Sequence, residues 1–257
     1  MNAPEASAAE KAPWTEHALS AAAWAAGLTW AVSGATALMA VQTVLPPDRI
    51  DALTRLYTRG QLLAVGTRVR YVTSDALDPA RPYLFVQNHV NHLDHCTMYA
   101  GSPHFKQGLE NEDHFRYPFY GWFMKQRGTI AVKRGARDQL GALEAAMARE
   151  VERGHSLLVF PEGTRTRTGD VGPFRTGALV IARNLGIPVV PVSVCGMFEV
   201  MSANSRRIRP GRTVTVYTDA PRETASLRTE DVPAFAEDLR AHIQARLSAH
   251  RAAATGG

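Results

Sequence analysis

The sequence predicts an α/β domain with a largely parallel sheet flanked by helices, carrying a membrane-associated helical segment at its N-terminus. Three observations predict it. Short apolar runs, Pro82–Gln87, Gly128–Val132 and Ser156–Phe160, each end in a polar cluster, as strands buried on both faces do. Helical periodicities separate them, and strands alternating with helices imply parallel pairing with right-handed crossovers. A length of 257 residues, with 45% hydrophobic and 21% charged side chains, suits one sizeable domain that folds in water.

Taken in order, residues 1–17 form a polar tail containing Glu5, Glu10, Lys11 and Glu16. Residues 18–45 contain no Asp, Glu, Lys or Arg and are long enough, if helical, to cross a bilayer. Trp14, Trp24 and Trp30 suit an interface, and Arg49, Arg55, Arg59, Arg68 and Arg70 follow the apolar stretch, which puts the domain on the cytoplasmic face. The competing readings are an amphipathic surface helix, a soluble Ala-rich helix packed on the domain, and a cleaved signal peptide. The last is disfavoured, because a leading region of that kind should be positive and this one is acidic.

Residues 46–257 form the domain proper. After the Pro46-Pro47 break, Asp48–Leu63 reads as a short helix and Thr67–Val72 as a strand. Leu140, Leu143, Met147 and Val151 mark an amphipathic helix ending near Gly154, and Phe174–Leu185 a further helix closing at Gly186. Pro188–Val194 and Thr213–Tyr217 read as strands, and a last helix carries Phe235, Leu239, Ile243 and Leu247 on one face. Such sheets place ligands beyond the carboxyl ends of their strands, so His89, Arg134 and Glu162 are candidates to share one rim.

The formal charge of +5 favours an anionic partner: nucleic acid, an anionic membrane surface or a phosphorylated substrate. Cys96 and Cys195, the only cysteines, offer neither metal-type spacing nor a disulfide framework, which fits a reducing compartment.

Chemistry concentrates in two segments. In Asn88-His89-Val90-Asn91-His92-Leu93-Asp94 a histidine precedes an aspartate by five residues. That spacing fits an imidazole–carboxylate pair at a strand-to-helix turn, with Asp94 fixing the tautomer of His89, and equally a purely structural hydrogen bond. In Phe160-Pro161-Glu162-Gly163-Thr164-Arg165, Gly163 lets the backbone approach a ligand and Arg165 offers paired donors to a phosphate. A simple turn with a surface arginine fits as well.

In combination these segments resemble a known family. His-x4-Asp, then Gly128-Thr129-Ile130-Ala131-Val132-Lys133-Arg134, then Phe-Pro-Glu-Gly-Thr-Arg, then Ile187-Pro188-Val189-Val190-Pro191-Val192 are similar in order and spacing to the four blocks of the glycerolipid acyltransferases. Members include the 1-acyl-glycerol-3-phosphate (lysophosphatidic acid) acyltransferases. Pro118-Phe119-Tyr120-Gly121 and Pro173-Phe174-Arg175-Thr176-Gly177-Ala178 extend the likeness, which covers Pro82 to Val194.

The resemblance implies an α/β acyltransferase domain with a groove for the acyl chain. It implies His89 as general base, Asp94 as its orienting partner, and Glu162, Gly163, Thr164 and Arg165 as acceptor-binding residues. Arg134 becomes a second phosphate contact, and Lys106 lies where many members have a lysine near the phosphate. Acyl-CoA or acyl carrier protein would be co-substrate, a lysophospholipid the acceptor and membrane phospholipids the setting, with no metal, no other cofactor and no nucleic acid. The chain departs from the family at Val90-Asn91, where Gln-Ser or a similar pair is usual, and at Thr166, where serine is common.

Two other readings use the same residues differently. His92-Leu93-Asp94-His95 matches the end of the His-x-His-x-Asp-His zinc site of metallo-hydrolases, but position 90 is valine and the preceding histidine stands one residue early. His104, His114 and His155 have no recognisable ligand context. Arg206, Arg207, Arg209 and Arg212 could form a nucleic-acid patch, lie against anionic head groups or belong to a solvated loop, and no interleaved aromatics favour the first. Cys96 reads as a small buried residue rather than a nucleophile.

Overall fold

The computed structural model describes residues 14–133 and 140–255. Helix α1, Trp14–Gln42, starts ahead of the charge-free stretch because Glu16 fits its first turn, where negative charge favours the helix. It turns at Pro46-Pro47 into α2, Asp51–Ala64, and the two pack as an antiparallel pair. Glycines permit the close approach: a Cβ on Gly34 would lie 2.4 Å from the Tyr57 ring, and one on Gly60 would lie 2.1 Å from the Trp30 ring.

The strands are β1 (Arg68–Thr73), β2 (Leu84–Gln87), β3 (Lys106–Asn111), β4 (Ile130–Val132), β5 (Ser156–Val159), β6 (Val189–Cys195) and β7 (Thr213–Thr218). They form one sheet in the order β1-β7-β6-β2-β5-β3-β4. Every pairing is parallel except β6 with β7. The central strands β2 and β6 are buried at every position, which is why they read as unbroken apolar runs.

Helices α3 (Asp94–Gly101), α4 (Tyr120–Arg127), α5 (Leu140–Glu152), α6 (Gly177–Asn184), the short α7 (Met197–Val200) and α8 (Val232–Thr255) complete the layers. One core packs around Phe85, Val190 and Val216 with Leu62 of α2 and Met98 of α3. The other joins Leu84, Val86 and Leu157 to Met147, Leu179, Leu239, Ile243 and Leu247. The alternation of strands and helices expected from the sequence is thus the architecture observed.

Two differences have physical causes. β3 has the sequence KQGLEN, with no apolar run to announce it, yet Lys106 and Gln107 are buried where they pair with β5. The helix anticipated from Phe174 begins at Gly177, because the Arg175 N–H is drawn to Pro161 O at 2.8 Å and holds that stretch as a loop.

Candidate active site at the carboxyl ends of β2 and β5

β2 and β5 are parallel neighbours, with Leu84 opposite Leu157 and Val86 opposite Val159. The segments leaving them, Asn88–Asp94 and Phe160–Arg165, therefore emerge side by side on one rim. Asn88 anchors the first to β6: its Oδ1 accepts the Val194 N–H at 2.8 Å and its Nδ2 donates to Val194 O at 3.1 Å. Asn91 Oδ1 accepts the Leu93 N–H at 2.8 Å, a local turn that starts α3, while its Nδ2 donates to Met201 O at 2.8 Å and Met197 O at 3.2 Å.

These anchors fix the histidine and the aspartate together. His89 Nδ1 lies 2.8 Å from Asp94 Oδ2, and the same oxygen accepts the backbone N–H groups of Val90 and Asn91. Asp94 is wholly buried at the first position of α3, where the helix N-terminus favours its negative charge. With the carboxylate accepting the Nδ1–H hydrogen bond, the lone pair of His89 sits on Nε2, which has no hydrogen-bond partner among the described residues. The imidazole remains 22% exposed at the rim, and Phe160 stacks on it at 4.2 Å between ring centroids and 22° between planes.

The second segment grips the first through its backbone. Glu162 Oε1 accepts the His89 N–H and its Oε2 accepts the Gly172 N–H, both at 2.8 Å, while the Thr166 N–H donates to His89 O at 2.8 Å. Burial raises the Glu162 carboxyl pKa, outweighing the two amide donors that lower it. Gly163 takes a left-handed φ of +66°, and a Cβ there would lie 2.6 Å from Arg175 Nε. Thr164 is exposed, and Arg165 is half-buried with one guanidinium nitrogen 2.9 Å from His92 Nε2. The imidazole of His92 is pushed below its usual pKa by partial burial, then by the Arg165 charge.

The structure thus brings His89, Asp94, Glu162, Gly163 and Arg165 together on one rim, with Thr164 at the tip of the loop. Lys106 is not among them. It starts β3 opposite Ser156, the first residue of β5, at the end of the strands remote from His89. Its Nζ donates to His104 O at 2.6 Å, and burial lowers its pKa to about 7, opposed by Asp51. Arg134 lies outside the described residues.

The alternative chemistries find little support. Among the described residues no group of three His, Cys, Asp or Glu side chains is arranged to hold a metal ion. His95, pushed down to about 4 by burial, points its Nε2 at Cys96 Sγ, 3.3 Å away. The Cys96 thiol is buried and its pKa pushed up, the reverse of what a nucleophile needs. The 206–212 loop docks on α1: Arg206 O accepts the Trp24 indole N–H at 2.6 Å and Arg207 pairs with Glu16 at 3.1 Å.

Sequence reasoning passed through Asn88, Phe160 and Thr166 without giving them a role, and missed Gly172. Asn88 and Thr166 act through backbone groups of distant segments, which leaves no periodic trace. Asn91 followed two residues later by Leu93 at a helix start was a readable local signal.

Comparison with known proteins matches this rim. The profile of the acyltransferase family fits residues 68–195, which include His89, Asp94 and the whole 160–166 segment. A chloroplastic 1-acyl-sn-glycerol-3-phosphate acyltransferase of Brassica napus is 35% identical over 141 residues, covering 54% of this chain and 40% of that protein. A lyso-ornithine lipid O-acyltransferase of Pseudomonas aeruginosa is 28% identical over 164 residues, covering 63% of this chain and 62% of its own. The chain therefore spans about two fifths of the first relative's length. In fold it resembles the crystal structure of the 1-acyl-sn-glycerophosphate acyltransferase PlsC of Thermotoga maritima, with a TM-score of 0.76 at 18% identity, covering 92% of this chain and 97% of that one. The segment that builds the rim, residues 68–195, is thus the part of the chain that matches the acyltransferase family, as its four sequence blocks suggested.

Proposed function

We propose that this protein transfers a fatty acyl group from a thioester donor, acyl-CoA or acyl carrier protein, to the free hydroxyl of 1-acyl-glycerol-3-phosphate, giving phosphatidic acid. The observation that carries the reading is the His89 imidazole, tied through Nδ1 to buried Asp94 and open at Nε2 beside the loop bearing Arg165. In the step proposed, Nε2 takes the hydroxyl proton as the oxygen attacks the thioester carbonyl. Asp94 stabilises the imidazolium that forms. The tetrahedral oxyanion collapses, the C–S bond breaks, and the departing thiolate takes the proton back from His89. The product is an ester and a free thiol, with no acyl-enzyme. Arg165 supplies the paired donors suited to the acceptor phosphate.

The similarity to a lyso-ornithine lipid O-acyltransferase favours a second acceptor, a lyso-aminolipid that presents a free hydroxyl of its own. Mass spectrometry of products formed from palmitoyl-CoA with each lyso-lipid tests the choice. Phosphatidic acid as the main product supports the first acceptor, acylated aminolipid the second, and no lipid product with any donor or acceptor overturns the proposal.

The setting proposed is a membrane surface entered by one face of the α1–α2 pair, with the domain on the cytoplasmic side. α1 has the length and hydropathy to cross a membrane, and few of its residues are buried in the protein. Tethers run along its whole length: Glu16 to Arg207, the Gln61 side chain to Gly27 O at 3.2 Å, and the Gln126 side chain to Met39 O at 2.8 Å. A helix crossing the bilayer would give these up. On α2, Leu53, Leu56 and Leu63 are exposed at spacings that share one face, and Leu28 and Val32 of α1 and Trp122 of α4 are exposed as well. Reporter cysteines at Thr15→Cys and Thr229→Cys in sealed vesicles should react from the same side; reaction from opposite sides would demand a span.

A further inference from the structure

We infer that α8, which lies outside the segment matched to the family, is a positioning element for the histidine, acting through Gln244 and Arg251. This rests on the general-base reading of His89.

The buried face of α8, Val232, Ala236, Leu239, Ile243 and Leu247, faces the core. Arg240, Gln244 and Arg251 follow at steps of four and seven and so share an adjacent side of the helix, which meets the loop 169–172. Gln244 Oε1 accepts the Val171 N–H at 2.8 Å and its Nε2 donates to Asp170 Oδ1 at 3.3 Å. Arg251 donates to the same Asp170 oxygen at 2.8 Å and to Gly169 O. Arg240 donates to Val171 O at 3.3 Å.

Two hydrogen-bonded routes lead from there to the two backbone polar groups of His89. Along the first, Gln244 holds Val171; the next residue, Gly172, donates to Glu162 Oε2, and Glu162 Oε1 accepts the His89 N–H. Along the second, Arg251 holds Gly169 O, the Gly169 N–H donates to Thr166 Oγ1 at 3.1 Å, and the Thr166 N–H donates to His89 O. The backbone N–H and C=O of His89 thus both depend on a loop whose far side is fastened to α8. Gly169 fits its place at φ +89°, where a Cβ would come within 2.9 Å of the Arg251 guanidinium. Neither Gln244 nor Arg251 reaches the imidazole, so their effect is on where His89 and Arg165 stand.

The test uses the full chain and two variants, Gln244→Met and Arg251→Met, singly and together. Misplacement approaching 1 Å can cost about 10²-fold in rate, and a loosened loop should give the double variant a 10- to 100-fold lower kcat. KM for the acceptor should rise, because Arg165 rides on the loop, while KM for the thioester stays within about twofold. Amide hydrogen exchange, which needs no activity, should quicken in the double variant at 163–172 and also at 88–91. Faster exchange at 163–172 alone, with kcat unchanged, would reduce α8 to a local support and overturn the inference. Faster exchange at 88–91 in a chain inactive on every substrate would sustain the coupling while refuting the proposed activity.

Discussion

Replacing Glu162 by Gln separates two roles for this side chain. The resemblance implies that Glu162 binds the acceptor, whereas its oxygens accept the His89 and Gly172 N–H groups. A glutamine has one carbonyl oxygen, so one N–H keeps its partner and the other faces an NH2 group. Losing a charge-assisted hydrogen bond in a buried site costs about 1.5–3 kcal/mol. Part of that is returned, because burial already disfavours the Glu162 charge and the neutral amide escapes that penalty. A net loss of about 2 kcal/mol corresponds to a Tm lower by about 4–8 °C for a chain of this size. Since α8 still holds the loop bearing Arg165, the damage should fall on His89: kcat lower by about 10- to 100-fold, with acceptor KM within about threefold of wild type. Thermal unfolding in detergent and steady-state transfer kinetics measure both. An unchanged kcat and Tm with acceptor KM raised tenfold or more would refute the backbone role and return Glu162 to the substrate.

Other perturbations have equally definite outcomes. Asp94→Asn removes the negative charge that stabilises the His89 imidazolium and should lower kcat by about 10²–10⁴-fold with little effect on acceptor KM, as read from saturation curves. Arg165→Ala should raise KM for a phosphate-bearing acceptor by about 10- to 100-fold, the equivalent of about 1.5–3 kcal/mol, and leave a phosphate-free lyso-lipid unaffected in the same assay. Lys106→Met should keep full activity. Its folded pKa lies near 7 against 10.5 for the free side chain, so between those values the unfolded chain binds the extra proton. The stability of wild type relative to Lys106→Met should therefore rise as pH increases from about 7 to about 10.5; denaturant titrations showing a constant or falling difference would contradict this burial.

What the sequence made legible was whatever depends on repetition or adjacency. The runs ending in Gln87 and Phe160 are buried on both faces, so apolarity alone revealed them, and their parallel pairing explains why His89 and Glu162 converge. β3 stayed hidden because its first residues are buried polar side chains: Lys106 donates to His104 O, two residues away, and Gln107 to the distant Arg127 O at 2.9 Å. The same strand carried Lys106 to the opposite end of the sheet, a placement that local sequence cannot encode. The His89–Asp94 pair could be anticipated from spacing, but whether Asp94 also gathers the Val90 and Asn91 amides depends on the turn actually formed. Least legible was the support beneath the site, because Gln244 and Arg251 lie more than seventy residues from the groups they hold.

The most direct measurement is thiol release from palmitoyl-CoA by detergent-purified protein, with and without lysophosphatidic acid, for wild type and His89→Ala. Release that requires the acceptor in wild type and falls by about 10³-fold or more in the variant is the predicted result. Equal release from both proteins would contradict the assignment of His89 as the base.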